Sequence, residues 1–251
     1  MPNLPESRLR VSVCPHGGGR EVAAWAAAIA YLRTRTSLPL GWFPAVDFSP
    51  AERGVLSQTA AVYADPALAF TLADRHGFVP VAAATDPDGV FLVARRDVPA
   101  TMEDVEGARV AVLPGTFAAV LGLGTLLQRG LRPRPVPASS WQQAVRWVLS
   151  GECALGLLCE ATYRILALRT LRSLRVVAGP WNASVAHLWL VRRDHSLLAQ
   201  RLEEALLAMD DDAEGRSLLA MLGVTGWRRP AGELETARHI LTQADVSTLL
   251  A

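Results

Sequence analysis

Short apolar runs and amphipathic stretches alternate almost from end to end of this chain, and that alternation constrains its fold more than any other feature. A short apolar run bounded by turn residues reads as a buried strand, and the amphipathic stretch after it reads as a helix covering the sheet. Repetition of the pair predicts an α/β fold with largely parallel sheets. The predicted strands are Leu9–Cys14, Gly41–Phe43, Val55–Ser57, Val79–Ala84, Val90–Ala94, Arg109–Leu113, Ala154–Leu158, Leu174–Ala178 and Leu188–Val191. The predicted helices are Glu21–Arg33, Pro66–His76, Phe117–Arg129, Trp141–Ser150, Glu160–Leu168, Ser196–Met209, Glu214–Leu222 and Glu233–Thr242.

Several helix ends are legible. Asp65-Pro66 reads as an N-cap followed by proline in the first turn, and Gly77, Gly130 and Gly151 each stop a helical run. Thr101 with Asp104 forms a capping pair before a short helix ending at Gly107. No Gly/Ser linker or internal repeat divides the chain, so two lobes would be interleaved. The expected crossings are the charged turn Arg95-Arg96-Asp97 and the segment from Gly179 to His187.

Lys+Arg 25 against Asp+Glu 24 leaves a net charge of +1, which creates no global field for nucleic acid or an anionic membrane. The cysteines Cys14, Cys153 and Cys159 are odd in number and lack zinc-ligand spacing, so they are expected as buried small hydrophobes, with no metal and no disulfide framework. The first 20 residues carry no basic head and apolar core of an export signal. The run Val22 to Leu32 is too short to span a bilayer. No direct membrane insertion is expected, and the sequence as written would stay in the cytoplasm.

Candidate binding residues cluster where strands feed helices. Pro114-Gly115-Thr116-Phe117 follows a predicted strand directly and opens a helix, whose first amides and dipole favour an anion. Gly115 permits close backbone approach, and Thr116 either donates a hydroxyl or caps its own helix. The polar triplet Ser57-Gln58-Thr59 ends a predicted strand, and Tyr63 follows. Gln58 and Thr59 read as ligand donors or loop bridges, and Tyr63 as cleft or core. Ser139-Ser140 precede the helix that starts at Trp141, with Ser140 a donor or a cap and Trp141 a pocket wall or a core residue. Glu160 opens another helix, as a proton acceptor toward the ligand or a complement to the helix dipole.

Covalent chemistry finds little support. His16-Gly17-Gly18-Gly19 matches an esterase oxyanion-hole motif, but no G-x-S-x-G elbow accompanies it. Gly122 and Gly124 begin a G-x-G pattern that ends on Leu127, inside a predicted helix, so no dinucleotide fingerprint is present and no cofactor is expected.

The segment Val55 to Tyr63, "VLSQTAAVY", resembles the strand and turn of the phosphate/phosphite/phosphonate-type substrate-binding proteins of ABC transporters. The stretches "EDVEGARVAVLPGT", Ser140 to Tyr163, and "ALLAMDDDAEGRSLLAMLGVTGW" resemble further family segments in the same order. The resemblance implies the two-lobed type II periplasmic-binding-protein fold, with lobes at 1–95 plus 185–251 and at 96–184 and a cleft between them. It implies a small oxyanion as ligand, an ABC permease as partner, and a periplasmic location where an export signal is removed. The family's hydroxyl-rich turn carries over to Thr116, its polar strand end to Gln58 and Thr59, and its cleft tyrosine to Tyr63. This chain departs from the family pattern at Phe117, Ala118 and Ala119, where a second hydroxyl is usual, at Trp141, where a histidine is common, and at Cys159-Glu160, where an aspartate is common. Ala60 and Ala61 replace a cysteine and a glycine. Lost donors favour an organic or less charged ligand over bare phosphate. The alternative is a cytosolic enzyme on the same fold, of chorismate-dehydratase or thiamin-precursor type, or a ligand-sensing module.

Overall fold

A computed structural model describes residues 8–14, 19–45 and 54–243, which divide into two compact units. Unit 1 comprises residues 1–86 and 186–234, and unit 2 residues 87–185 and 235–251. The first crossing therefore falls at Asp86-Pro87, before the strand Gly89–Arg95 and not after it at Arg95-Arg96-Asp97. The cause is pairing: that strand hydrogen-bonds to Leu155–Cys159 and Leu174–Asn182, both in unit 2. The second crossing is at Val185-Ala186, and the chain from Glu235 onward groups with unit 2.

In unit 1, β1 (Leu9–Val13), α1 (Gly19–Thr36), β2 (Leu40–Trp42), β3 (Ala61–Ala64), α2 (Pro66–His76) and β4 (Phe78–Ala84) come first. After the excursion into unit 2 follow β10 (Leu188–Arg192), α7 (Ser196–Leu207), α8 (Ala213–Leu222), β11 (Trp227–Arg228) and the start of α9 (Glu233–Gln243). The sheet order is β11-β4-β10-β3-β1-β2, with β1 parallel to β2 and β3, and β10 antiparallel to β3. Alternation places Val13, Tyr63 and Trp189 on one face, where they join Trp25, Ile29 and Leu32 of α1 and Leu202 and Leu206 of α7 in the buried core.

Unit 2 contains β5 (Gly89–Arg95), a 3-10 turn at Glu103–Val105, β6 (Arg109–Val112), α3 (Phe117–Gln128), β7 (Arg134–Pro137), α4 (Trp141–Ser150), β8 (Leu155–Cys159), α5 (Glu160–Ile165), α6 (Leu168–Ser173) and β9 (Leu174–Asn182). Its sheet order is β7-β6-β8-β5-β9, with β6 parallel to β7 and β8, and β5 antiparallel to β8 and β9. A side chain at Gly122 would strike Leu157, and one at Gly156 would strike Val148. Neighbouring strand residues point to opposite faces, so these two glycines let α3 and α4 approach β8 closely from its two sides.

The two units share one plan. In each, a first strand is flanked by a second and a third parallel strand, with an antiparallel strand beyond the third. In such a sheet ligands bind at the carboxyl ends of the parallel strands, where the connections leave in opposite directions.

Two predicted elements differ from the structure, and one edge strand was not predicted. Val55–Ser57 is not a strand: residues 54–56 are helical, and the strand begins at Ala61. The predicted helix Glu160–Leu168 is two short helices, broken at Leu166-Ala167. β7 was absent from the sequence pattern because Pro135 and Pro137 suppress a strand reading, yet an edge strand tolerates proline.

Local electrostatics tie α8 to α1 within unit 1. Asp212 caps α8 by accepting from the Gly215 amide (2.8 Å), accepts from the Tyr31 hydroxyl (2.8 Å), and pairs with Arg35. The Gly215 amide first, then Tyr31, hold its carboxyl below the ordinary range. A carboxyl whose folded value is depressed stabilises the fold above its unfolded value of about 3.9, and that contribution fades as pH falls through the folded value. Urea midpoints of wild type and Asp212→Asn are expected to differ at pH 7 and to draw together only as pH falls from about 4 through the depressed folded value; a constant difference at every pH would contradict this.

Candidate ligand-binding site

The carboxyl edge of the unit 2 sheet gathers three helix starts. α3 follows β6, α4 follows β7 and α5 follows β8, and the three strands are mutually parallel neighbours around β6. The first amides of each helix have no acceptor within the helix, and the peptide dipoles add partial positive charge there.

Thr116 is the N-cap of α3 and is buried. Its hydroxyl accepts from the Ala119 amide (3.3 Å) and donates its one proton to the Leu113 carbonyl (2.8 Å). The hydroxyl thus builds the turn, and any donor offered there is backbone amide. Gly115 makes the turn possible with φ +76°, a conformation that costs a side-chain-bearing residue heavily. Phe117 opens α3 with its ring 2% exposed, packed into the core.

Ser140 caps α4, accepting from the Gln143 amide (3.2 Å), while Gln143 Oε1 accepts from the Ser139 amide (2.6 Å) and hydroxyl (2.9 Å). This reciprocal capping fixes the angle at which α4 starts. Trp141 is 2% exposed and stands in the core. Glu160 opens α5 and is held by Arg164 at 2.6 Å, one helical turn on, with its carboxylate against Gly89. Its negative charge is therefore compensated beside an edge built of amide dipoles.

The carboxyl edge of unit 1 has a different chemistry. Cys14 follows β1, Tyr63 and Asp65 stand at the end of β3, and His187 precedes β10, all buried. Asp65 caps α2 by accepting from the Leu68 amide (2.8 Å). Tyr63 is enclosed by aromatic rings, with centroids at 5.0 Å to Trp25, 5.1 Å to His187, 5.4 Å to Trp189 and 5.3 Å to Trp227. Burial pushes the Cys14 thiol up, and the charge and hydrogen bond of His187 return only part of that shift. The group is a thiol at neutral pH, not the thiolate that nucleophilic catalysis uses. Sequence reasoning missed this cluster, since Cys14, the Tyr63–Asp65 segment and His187 lie far apart in the chain and only the pairing of β3 with β1 and β10 unites them.

Gln58 and Thr59 lie elsewhere. They precede β3, so they stand at its amino end, and Tyr63 and Asp65 stand at or just past its carboxyl end. Thr59 Oγ1 donates to the Leu56 carbonyl (2.7 Å) and Gln58 Nε2 to Ser57 Oγ (3.4 Å), which keeps the triplet within its own turn. The structure brings Gly115, Thr116, Phe117, Ser140, Trp141 and Glu160 to one sheet edge and leaves Gln58 and Thr59 at the opposite end of the unit 1 sheet from Tyr63. Of the motif His16-Gly17-Gly18-Gly19, residues 16–18 lie outside the described residues. All three cysteines are buried and none is in a disulfide, with Cys159 also capping α5 by accepting from the Thr162 amide (3.4 Å). Among the described residues no cluster of His, Cys, Asp and Glu could hold a metal, and no helix is long and apolar enough to cross a membrane.

Two α/β units, each a second-first-third parallel arrangement closed by an antiparallel strand, with chain crossings in both directions, define the type II periplasmic-binding-protein fold. The family model described as "ABC transporter, phosphonate, periplasmic substrate-binding protein" matches residues 12–233, and the chain belongs to that family. Among solved structures, a binding protein component of an ABC phosphonate transporter from Pseudomonas aeruginosa superposes with a TM-score of 0.81 at 14% identity, over 97% of this chain and 89% of that one. PhnD1 from Prochlorococcus marinus, in complex with methylphosphonate, gives 0.81 at 10% identity over 94% and 98%. The periplasmic aliphatic sulphonate binding protein SsuA from Escherichia coli gives 0.65 at 17% identity over 97% and 87%. No curated protein matches the sequence.

Proposed function

We propose that this chain is the solute-binding component of an ABC uptake system on the periplasmic side, and that it takes up a small phosphonate-class solute and passes it unchanged to a permease. The oxyanion head is held by the backbone amides that open α3 and α4. One observation carries this reading: two well-capped helices start side by side at the carboxyl edge of the unit 2 sheet, where their first amides and dipoles supply partial positive charge. Hydrogen bonds from neutral donors suffice for an anion there, because charge-assisted bonds are stronger than neutral ones.

In this reading Thr116 and Ser140 are positioning residues, whose hydroxyls set the helix starts, and Gly115 admits the anion close to the backbone. Gln58 and Thr59 have no part in it. Membership of a phosphonate family and the methylphosphonate complex of a similarly folded protein support the choice of solute class.

Calorimetric titration with methylphosphonate, phosphite, phosphate, sulfate, ethanesulfonate and lysine tests the assignment. Saturable binding is expected for phosphonates in preference to sulfonates and lysine, and phosphorus NMR should return the solute unchanged after release. Tightest binding to lysine, or conversion of the phosphonate, would overturn the proposal.

A further inference from the structure

An open surface cavity of about 600 Å³ lies wholly within unit 2. Arg95, Arg96 and Asp97 at the end of β5, Leu149 near the end of α4, and Arg169 and Arg172 of α6 line it. Because β5 runs antiparallel to β8, its carboxyl end lies at the amino end of β8 and β6. The cavity therefore stands at the opposite end of the sheet from the starts of α3 and α4.

Its charge is unbalanced. Four guanidinium groups against one carboxylate give 4 − 1 = +3, in a chain whose whole net charge is +1. Asp97 is engaged by Arg95 at 2.6 Å. Arg96 Nε donates to the Arg172 carbonyl at 2.8 Å, which holds the two arginines together without neutralising either. Among the described residues no carboxylate pairs with Arg96, Arg169 or Arg172, whereas Arg109 and Arg164 of the same unit each face a glutamate. Three uncompensated guanidiniums around one cavity repel one another, and a polyvalent anion relieves that repulsion. The guanidinium fork matches phosphate oxygens in pairs, Thr170 adds a hydroxyl to the lining, and the volume falls within the range of small-molecule sites.

We propose that this cavity is a second anion site that takes a polyvalent phosphate, a di- or triphosphate chain, independently of the solute at the α3 and α4 starts. Its source is either free polyphosphate or the chain of a nucleotide, and two probes separate them. Calorimetric titrations with inorganic tripolyphosphate and with ATP, at fixed ionic strength and without divalent metal, should each give saturable binding. Equal affinities identify the phosphate chain alone as the ligand, and tighter ATP binding adds the nucleoside.

Arg169→Ala/Arg172→Ala should weaken tripolyphosphate about 100-fold, roughly tenfold for each lost charge-assisted contact. The Arg172 carbonyl that accepts from Arg96 survives in this variant, and the single variant Arg169→Gln, expected to lose about tenfold, serves if the double variant fails to fold. Methylphosphonate binding by the same variants is the internal control: its persistence while tripolyphosphate is lost supports a separate site. Absence of saturable tripolyphosphate binding in wild type, or equal affinity in wild type and both variants, overturns the proposal. Neither result depends on whether methylphosphonate is bound, since tripolyphosphate is titrated both with and without it.

Discussion

Ser140→Asp is expected to abolish phosphonate binding, by at least about 100-fold, while leaving α4 at least as stable as before. Aspartate caps a helix as well as serine does, so the turn at Ser139–Gln143 keeps its geometry. The new carboxylate, however, occupies the amide end that the oxyanion needs. At an effective dielectric of about 20 and a separation of about 5 Å, one unit of like charge costs roughly 3 kcal/mol, more than the hundredfold loss requires. Ser140→Ala is the counterpart, with the cap lost for about 1 kcal/mol of stability and no added charge, so binding falls far less. Calorimetry with methylphosphonate, alongside melting curves for all three proteins, checks the pair. Wild-type affinity in Ser140→Asp would remove the α4 start from the site.

Trp189→Ala should cost about 3–5 kcal/mol, the range for a large aromatic removed from a packed core. Trp189 is fully buried, lies opposite Tyr63 across the β3–β10 pair, and packs edge-on to Trp25 (5.9 Å) and Trp227 (6.3 Å). Its removal would leave a void under the edge that carries Tyr63 and His187. Trp189→Phe should cost much less, because the buried Trp189 Nε1 has no hydrogen-bond acceptor among the described residues and its loss relieves a polar group already desolvated without return. Denaturant unfolding at matched pH reads both, and equal losses for Ala and Phe would contradict the packing argument.

Local signals made much of this fold legible. Pro66–His76 and Trp141–Ser150 have the bounds that their caps predict, because an aspartate before proline, a serine before an amphipathic run and a following glycine each act within one turn. What escaped was set by partners distant in the chain. β3 has the residues Ala61-Val62-Tyr63-Ala64, and the polar triplet before it drew the strand reading upstream, which displaced Gln58 and Thr59 to the wrong end of the sheet. Nothing in the residue types at Leu166-Ala167 signals the break between α5 and α6, where Leu166 turns extended.

The strand-to-helix turns of the proposed site were legible in the sequence, and the hydrogen bonds of their side chains were not. Strand-to-helix turns at Gly115-Thr116 and Ser139-Ser140 announce themselves, but the direction of the Thr116 hydroxyl toward Leu113, and the capture of Glu160 by Arg164, depend on folded geometry. The cluster of Cys14, Tyr63, Asp65 and His187 exists because β1 pairs with β3 and because β10 returns beside β3 after the excursion through unit 2.

Amide chemical shifts, followed by nitrogen–proton correlation NMR during a methylphosphonate titration, address the site most directly. Saturable downfield movement of the amides at Phe117, Ala118, Trp141 and Gln142, which the caps leave without an acceptor in their helices, with one shared dissociation constant, is the predicted result. A titration that saturates while those amides stay still, and moves resonances around Gln58 and Thr59 instead, would contradict it.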